Sequence, residues 1–566
     1  MTELLVVGVI ALLVIAAAAV LGPRIGIAAP LVLVAVGIVA SLVPWIPNAE
    51  IDPEWILAGV LPPLLYSSAV SMPTMNFRRE FGAISGLSVV LVVASSLVLG
   101  LFFAWVIPGL GLAWGIALGA IVSPTDAVAT SIVKQTSVSR RVIAILDGES
   151  LLNDATALVL LRTAIVAGAA SFSFWGAVGD FAFAVAVAVA IGLVVGWLNL
   201  RVRSRITNPT VNTALSFAVP FVASIPAEHV GASGLVAAVV AGLVTGIRAP
   251  RVLPPNHRLS DAQNWGTVEF VLEGAVFLVM GLELASIVSD VQSDHAGIGP
   301  ALLIAVGALV LTILVRTAYV VPLLFGLSKS ARRGARMQER LQGFQNADTQ
   351  STTQALTDHR FGNRAPSERD LERFGTRVRR MLADIQYFTK APMGWREGTA
   401  VVWAGMRGAV TVAAAQTLPH GTTPQRSLLV FIAFAVAGFS LLIQGGTIGP
   451  LLRRISPPTA DASSGDAEER GRLMAVMRTA AESVRADDSN ELTPRTREEL
   501  EATDPAELRA WFGREKVRRL QVLDAQRSAL LDARDDGVFD AEVLESVLRN
   551  LDAEQIALEL RGGPTG

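Results

Sequence analysis

The sequence predicts an all-α polytopic membrane protein with a helical cytosolic domain at its C-terminal end. Three observations predict it. Of the 566 residues, 52% are hydrophobic and only 17% are charged, less charge than a soluble chain carries. Apolar runs recur from residue 4 to residue 452, each close to the roughly 20 residues that cross a bilayer as a helix. The runs are rich in Ala, Val, Gly and Leu and too long for barrel strands, so the spans are helical.

About thirteen spans can be placed, at 4–22, 27–45, 54–72, 83–107, 111–133, 141–168, 174–200, 209–226, 232–248, 266–288, 299–327, 398–418 and 427–452. The N-terminal run lacks a basic leader and a small-residue cleavage site, and reads as a retained first span. Basic residues fall in alternate loops: Arg24, Arg78 and Arg79, then Lys134, Arg140 and Arg141, then Arg201, Arg203 and Arg205, then Arg248, Arg251 and Arg258. The insert at 328–395 and the pair Arg453–Arg454 complete the series, and Arg426 is the exception. The positive-inside rule then puts the N-terminus outside and the C-terminus in the cytoplasm. An odd number of spans agrees.

The Arg-rich insert at 328–395 reads as a cytoplasmic helix pair with a flexible middle, near anionic headgroups. Its mixed charges and few aromatics argue against nucleic acid. Residues 1–455 form the transmembrane domain. After "PPTADASSGDAEE", a linker by composition, residues 456–566 show apolar residues at helical spacing and form a small, regulatory cytosolic domain. "DARDDGVFD" lacks the register of a calcium loop. There is no cysteine and there are five histidines. No P-loop, nucleophile elbow or metal-ligand cluster is present, and nothing calls for a cofactor or an enzymatic reaction.

The informative residues are polar ones at membrane depth. The sixth span opens with "DGESLLNDATALVL" (147–160). Positions four apart share a helix face, so Ser150 lines up with Asp154, and Glu149 with Asn153. A carboxylate at the depth of Asp154 must be protonated, paired or holding a cation. With a serine oxygen one turn away, Asp154 has the make-up of a hard-cation site that also takes a proton. Asp147 lies nearer the cytoplasmic end. The fifth span holds "SPTDAVA" (123–129). Pro124 removes a backbone donor and disfavours helix at Ser123, so Thr125 and Asp126 follow a mid-membrane break of the kind that lines transporter ion sites. In the twelfth span Gly405 and Gly408 bracket Arg407, a second candidate break carrying a counter-charge. The breaks would occupy the fifth position of spans 1–6 and of spans 8–13, the pattern of an inverted repeat. Other charges in the spans, Arg162, Glu269, Glu273, Glu283 and Arg316, are weighed as structural ion pairs or interfacial side chains; Glu273 and Arg316 also stay candidates for the site.

The stretches "LPPLLY" (61–66), "SPTDAVA", "DGESLLNDATALVL", "FLVMGLEL" (277–284) and "GMRGAVTVAAA" (405–415) resemble, in order, the monovalent cation/proton antiporters, in particular the NhaP-like sodium/proton exchangers. The resemblance covers roughly 1–455. It implies a homodimer of thirteen-span protomers with two broken crossing helices, each protomer having a dimerisation domain and a mobile six-helix core. It implies that Asp154 carries the ion, that Ser150 and the Thr125 backbone complete a Na+ shell with Asp126 close by, and that Asn153 braces the broken helices. It also implies a buried Glu149–Arg407 pair. Members with Asn-Asp at these positions are generally electroneutral. The chain departs from relatives at Ser67 and Ser68, where many place a site Glu, and at Asp147, where Glu is common.

The expected function is therefore exchange of Na+, or K+ or Li+, for H+ across the bilayer by alternating access. The rivals are a cation channel, for which no selectivity filter is visible, a proton-coupled symporter of a small solute, and a transport-inactive ion or pH sensor with the same fold.

Overall fold

A computed structural model describes residues 2–25, 28–43, 54–126, 128–169, 174–293, 297–345, 380–389, 391–455, 461–487 and 504–560. Among the described residues there are helices and no strands. The chain divides into two compact units. One comprises Met1–Ala249, Ser260–Ser328 and Met393–Pro458, and the other Pro250–Leu259, Lys329–Pro392 and Thr459–Gly566.

The helices of the first unit, three of which continue into the second, are α1 (Thr2–Ile25), α2 (Ala29–Ser41), α3 (Leu61–Ser71), α4 (Thr74–Ser85), α5 (Val92–Val106), α6 (Leu112–Val122), α7 (Val128–Val133), α8 (Arg140–Ala169) and α9 (Phe174–Arg203). They are followed by α10 (Pro209–His229), α11 (Gly234–Val252), α12 (Pro255–Leu282), α13 (Leu284–Ser293), α14 (Ile298–Gln345), α15 (Trp395–Trp403), α16 (Ala409–Gln416), α17 (Arg426–Ser440) and α18 (Gly446–Ile455). Among the described residues, nine helical stretches are long and apolar enough to cross a bilayer. Three shorter apolar helices, Ala29–Ser41, Trp55–Ser71 and Leu112–Val122, accompany them. The segment read from sequence as the span 398–418 is two short helices, α15 and α16.

Apolar side chains are distributed as a lipid solvent requires. Leu5, Val9 and Leu13 of α1, Phe183 and Val194 of α9, and Leu303, Val310 and Leu314 of α14 are exposed. Most of α17, from Leu428 to Ala437, is buried, whereas α1 is largely exposed, so α17 lies in the interior of the unit. Small residues let the central helices approach closely, the usual device where lipid supplies no hydrophobic drive. A Cβ at Gly119 of α6 would run into the Ser96 carbonyl of α5, and one at Gly37 of α2 would lie 2.8 Å from Gly281 Cα of α12. Besides the π-helical turn Trp55–Val60 that leads into α3, two interrupt spans among the described residues, at Gly86–Leu91 between α4 and α5 and at Leu441–Gly445 between α17 and α18. Such turns concentrate at functional positions, and both supply polar groups to the region described below.

Three buried ion pairs brace this architecture. Arg141 pairs with Glu80, both almost fully enclosed, and Arg203 pairs with Asp261 while donating to Asn212 Oδ1 at 2.6 Å. The third is in the candidate site. Arg162, weighed from sequence as a structural pair, meets Glu228 at 3.4 Å with both side chains substantially exposed.

In the second unit, α19 (Asp461–Asp487), α20 (Pro505–Asp536) and α21 (Ala541–Leu560) pack on Leu473, Leu530, Leu544 and Leu551. The "linker" reading fails from Asp461 onward, where the chain is already helical. Its Ala and Glu content favours helix over the turn signals that precede it. The stretch "DARDDGVFD" is a helix-to-helix corner. Gly537 ends α20 in the left-handed conformation, and Asp540 Oδ1 accepts from the Glu542 amide at 2.9 Å as the N-cap of α21. Arg251 reaches Asp532 and Asp535 at 2.8 and 2.7 Å, and Arg258 reaches Asp552 at 2.7 Å, so Pro250–Leu259 is tied to α20 and α21. Of the basic insert, the continuation of α14 and a helix at 380–389 are described, and Ile385 lies against Gly334. The middle of the insert and "TPRTREELEA" (493–502) lie outside the described residues.

Burial, helped by the neighbouring carboxylates Glu542 and Asp540 and opposed by Arg549 and Arg534, pushes the Glu545 carboxyl of α21 up from the ordinary 4.5 to about 7. The folded unit then holds a proton that the unfolded chain has released. Stability contributed by this proton is present below the unfolded value and falls as pH rises through about 7. Hydrogen exchange of α21 in the full chain, corrected for intrinsic rates, is expected to accelerate between about pH 5 and pH 7.5, and Glu545→Gln to flatten that dependence. An unchanged slope in the variant would assign it to another group.

Candidate ion-binding site

The site is built where two interrupted helices meet. The first interruption runs from Ser123 to Asp126 between α6 and α7, and the second from Gly405 to Gly408 between α15 and α16. Pro124 accounts for the first. At the second, close packing requires glycine. A Cβ on Gly408 would occupy the Asp126 carboxylate, and one on Gly405 would stand 2.6 Å from Arg316 Cδ. The interruptions bond to each other, the Asp126 amide donating to the Met406 carbonyl at 2.8 Å. Gly408→Ala is therefore expected to cost about 1–3 kcal/mol through overpacking and to abolish activity by displacing Asp126. A thermal melt and a transport assay on the same preparation check both.

Breaking a helix frees carbonyls that must find donors. Arg407 supplies them. Its Nε donates to the Val122 carbonyl at 2.8 Å, Nη2 to Ser123 at 3.2 Å, and Nη1 to its own segment at Gly405. Its amide donates to Ser440 Oγ at 2.9 Å, and Ser440 in turn bonds Gln444 in the π-helical turn. Ser123 Oγ shares a 2.6 Å hydrogen bond with Ser95.

Here the structure corrects the expected Glu149–Arg407 pair. Glu149 is bonded by Arg316 of α14, Nη1 to Oε1 and Nη2 to Oε2 at 2.8 Å, while Arg316 Nε holds the Val401 carbonyl at 2.9 Å. Arg407 faces the unpaired carbonyls of α6 instead, and the forked Arg316 guanidinium matches the carboxylate. Thr125 Oγ1 also donates to Glu149 at 3.2 Å, and Ser88 Oγ of the other π-helical turn donates to the Glu149 carbonyl at 3.2 Å.

Helix α8 carries two functional faces. On one, Glu149 and Asn153 hold the interruption: Asn153 Nδ2 donates to the Thr125 carbonyl at 3.1 Å and to Thr125 Oγ1 at 2.6 Å, and Asn153 Oδ1 is buried without a partner among the described residues. On the other, Ser150 and Asp154 line a cavity of ≈ 100 Å³. Pro124, Thr125, Asp126, Gly408, Glu269 and Glu273 also line it. Among the described residues, four carboxylates and no basic residue surround a space large enough for a few waters or a bare cation. Asp154 is 8% exposed, and among the described residues no hydrogen-bond donor serves its carboxylate. An empty, ionised cluster of this kind is strongly unfavourable, so the arrangement calls for protons or cations.

Around this cavity the remaining candidates separate. Glu269, weighed as a structural or interfacial charge, faces the cavity and accepts from Ser67 Oγ at 3.0 Å. Glu273 lies one turn deeper on the same wall. Ser67 itself stands behind Glu269, and Ser68 is the serine that reaches the cavity. Asp147 is outside the site, paired with Lys134 at 3.0 Å. Spacing on α12 could have flagged Glu269 and Glu273 as one face, but nothing in the sequence says which neighbour that face meets.

Crossed, interrupted helices around an acidic cavity define a secondary transporter of small cations. The comparisons then supply the family. The family model described as sodium/hydrogen exchanger, transmembrane, matches residues 8–344 and 376–454. The chain is 32% identical over 455 residues to the uncharacterised Na+/H+ exchanger YjcE of Escherichia coli, covering 78% of this chain and 74% of that protein. It is 30% identical over 276 residues, 47% of this chain and 41% of the other, to a sodium, potassium, lithium and rubidium/H+ antiporter of Bacillus subtilis. The sodium proton antiporter MjNhaP1 of Methanocaldococcus jannaschii has the same fold, with a TM-score of 0.58 at 15% identity over 81% of this chain and all of that one. The chain belongs to the sodium/hydrogen exchanger family.

Proposed function

We propose that the protein exchanges Na+, or K+ or Li+, for H+, one for one, with Asp154 as the carboxylate that the two ions share. The observation that carries the reading is Asp154 itself: buried, unserved by any donor among the described residues, and facing a cavity with three other carboxylates and no cation of the protein. Proton and cation cannot both occupy it. If the site changes sides only when filled, exchange follows from competition alone. Ser150, the Thr125 backbone and Asp126 complete the cation's oxygen shell. Glu273 supplies the carboxylate that relatives place after "LPPLLY" and this chain replaces with Ser67. Glu149, Arg316, Asn153 and Arg407 hold the crossing rigid so that the two interruptions move as one body.

The protein works as a thirteen-span homodimer in the bacterial plasma membrane, N-terminus outside. The 456–566 domain is cytoplasmic and regulatory. The exposed apolar faces of α1 and α9 suit lipid or a second copy. Reconstitution into proteoliposomes with an internal pH dye tests the exchange. Sodium, potassium or lithium added outside should drive a pH change that is indifferent to a clamped membrane voltage. A voltage-dependent change would replace the one-for-one ratio, and no change from folded protein would overturn the exchange.

A further inference from the structure

A second, larger cavity, ≈ 880 Å³, is lined by Leu158 and Leu161 of α8, one and two turns past Asp154. The two cavities share no lining residue. By the loop charges it is on the outer face. Among the described residues four carboxylates line it, Glu54, Glu228, Glu283 and Asp290, against two guanidiniums, Arg162 and Arg426, and the imidazole of His420. Neither guanidinium is directed at Glu283. Arg162 meets Glu228, and Arg426 donates from Nε to the Leu418 carbonyl and from Nη2 to the Gln416 carbonyl, both at 2.7 Å.

Glu283 is the unusual member. It sits at the one-residue break between α12 and α13 and is 4% exposed. Its Oε2 accepts from Gln416 Nε2 at 2.7 Å, and among the described residues its Oε1 has no hydrogen-bond partner. Leaving a buried carboxylate oxygen unserved is costly, and the wall it belongs to opens on a polar, net-acidic space large enough for a hydrated ion. Gln416 closes α16, whose other end, at Gly408, touches Asp126. The amide that positions Glu283 therefore lies on the half-helix that lines the Asp154 cavity.

We propose that Glu283, oriented by Gln416, is a second monovalent-cation site, an outer loading site separate from Asp154. It takes the ion from the outer solution, partly dehydrates it on the Glu283 carboxylate, and raises its concentration at the outer approach to the site. The identity of the cation rests on the exchange proposed above; the binding itself does not.

The chain has no cysteine, so a single introduced thiol can be read alone. Ser286 lines the same wall and donates to the Glu283 carbonyl at 2.9 Å. Full-length Ser286→Cys is reconstituted with Asp154→Asn also present, so that the inner site cannot transmit an effect. The rate of labelling by a membrane-impermeant maleimide is then measured in NaCl, KCl or LiCl against N-methylglucamine chloride at equal ionic strength. At least one alkali cation is expected to slow labelling by about tenfold at ten times its dissociation constant, and adding Glu283→Gln is expected to remove the protection. That variant keeps an acceptor for Gln416, which guards against simple misfolding. Should Ser286→Cys fail to fold, Thr417→Cys on the same cavity carries the label.

Equal labelling in every salt, or protection that survives Glu283→Gln, overturns the site. In the chain with Asp154 intact, Glu283→Gln is expected to raise the outer cation concentration for half-maximal exchange several-fold and leave the maximal rate unchanged. An unchanged half-maximal concentration also counts against the site. If the chain exchanges no cation at all, the exchange reading fails while the labelling result still decides the binding.

Discussion

Asp154→Asn is expected to abolish cation/proton exchange while the protein still folds and melts at or above the wild-type temperature. Asparagine is nearly isosteric with aspartate but cannot carry a proton on and off. It also removes a buried carboxylate that no donor serves among the described residues, so folding should lose nothing. Asp126 remains in the same cavity, but it is engaged elsewhere: its Oδ1 accepts from the Val128 amide at 3.0 Å and its own amide is bonded across the crossing. On the proposed reading it is a neighbour of the ion rather than a substitute carrier. Proteoliposomes of the variant should show no cation-driven pH change above the empty-vesicle rate. Residual exchange at a tenth of wild type or more would mean that Asp126 or Glu273 can carry the proton.

The second large effect is on folding. Arg316→Ala leaves Glu149, 2% exposed, without its guanidinium, and breaking a buried pair on one side costs about 3–5 kcal/mol. The expected result is poor expression or a melting temperature many degrees below wild type. Because the cost lies in the stranded charge, Arg316→Met combined with Glu149→Gln should recover most of the folded protein. Arg407→Ala is different. It leaves the Val122, Ser123 and Gly405 carbonyls without their donor, at about 1–3 kcal/mol for each group left unsatisfied, and Glu149→Gln should not rescue it. Rescue of Arg407→Ala by Glu149→Gln, with no rescue of Arg316→Ala, would restore the pairing that the sequence suggested.

That exchange of partners shows what was legible beforehand. Local rules were sufficient wherever the information was local. Pro124 announced its interruption, the Gly405–Gly408 bracket announced the other, and four-residue spacing separated the Ser150–Asp154 face of α8 from the Glu149–Asn153 face. Membrane depth made Glu149 need a cation. Choosing between Arg316 and Arg407 required knowing which helix lies beside which, and no periodicity encodes that. The same limit hid the wall formed by Glu269 and Glu273. On α12 they are two ordinary carboxylates one turn apart; their significance arises only because α12 passes the crossing. Glu283 and Gln416 are 133 residues apart in the chain and carry no local signal. The failure of the linker reading at Asp461 was of another kind, composition read as turn where Ala and Glu propensity prevailed.

The central claim is that one carboxylate serves both ions, and competition is its signature. The most direct measurement is the rate of exchange against cation concentration at a series of symmetrical pH values, with the gradient set by cation alone. A shared site predicts that, on the acid side, the concentration for half-maximal exchange rises about tenfold for each unit fall in pH while the extrapolated maximal rate stays constant, because proton and cation exclude one another by mass action. A half-maximal concentration that stays fixed while the maximal rate falls with pH would contradict it, and would place proton and cation on separate groups.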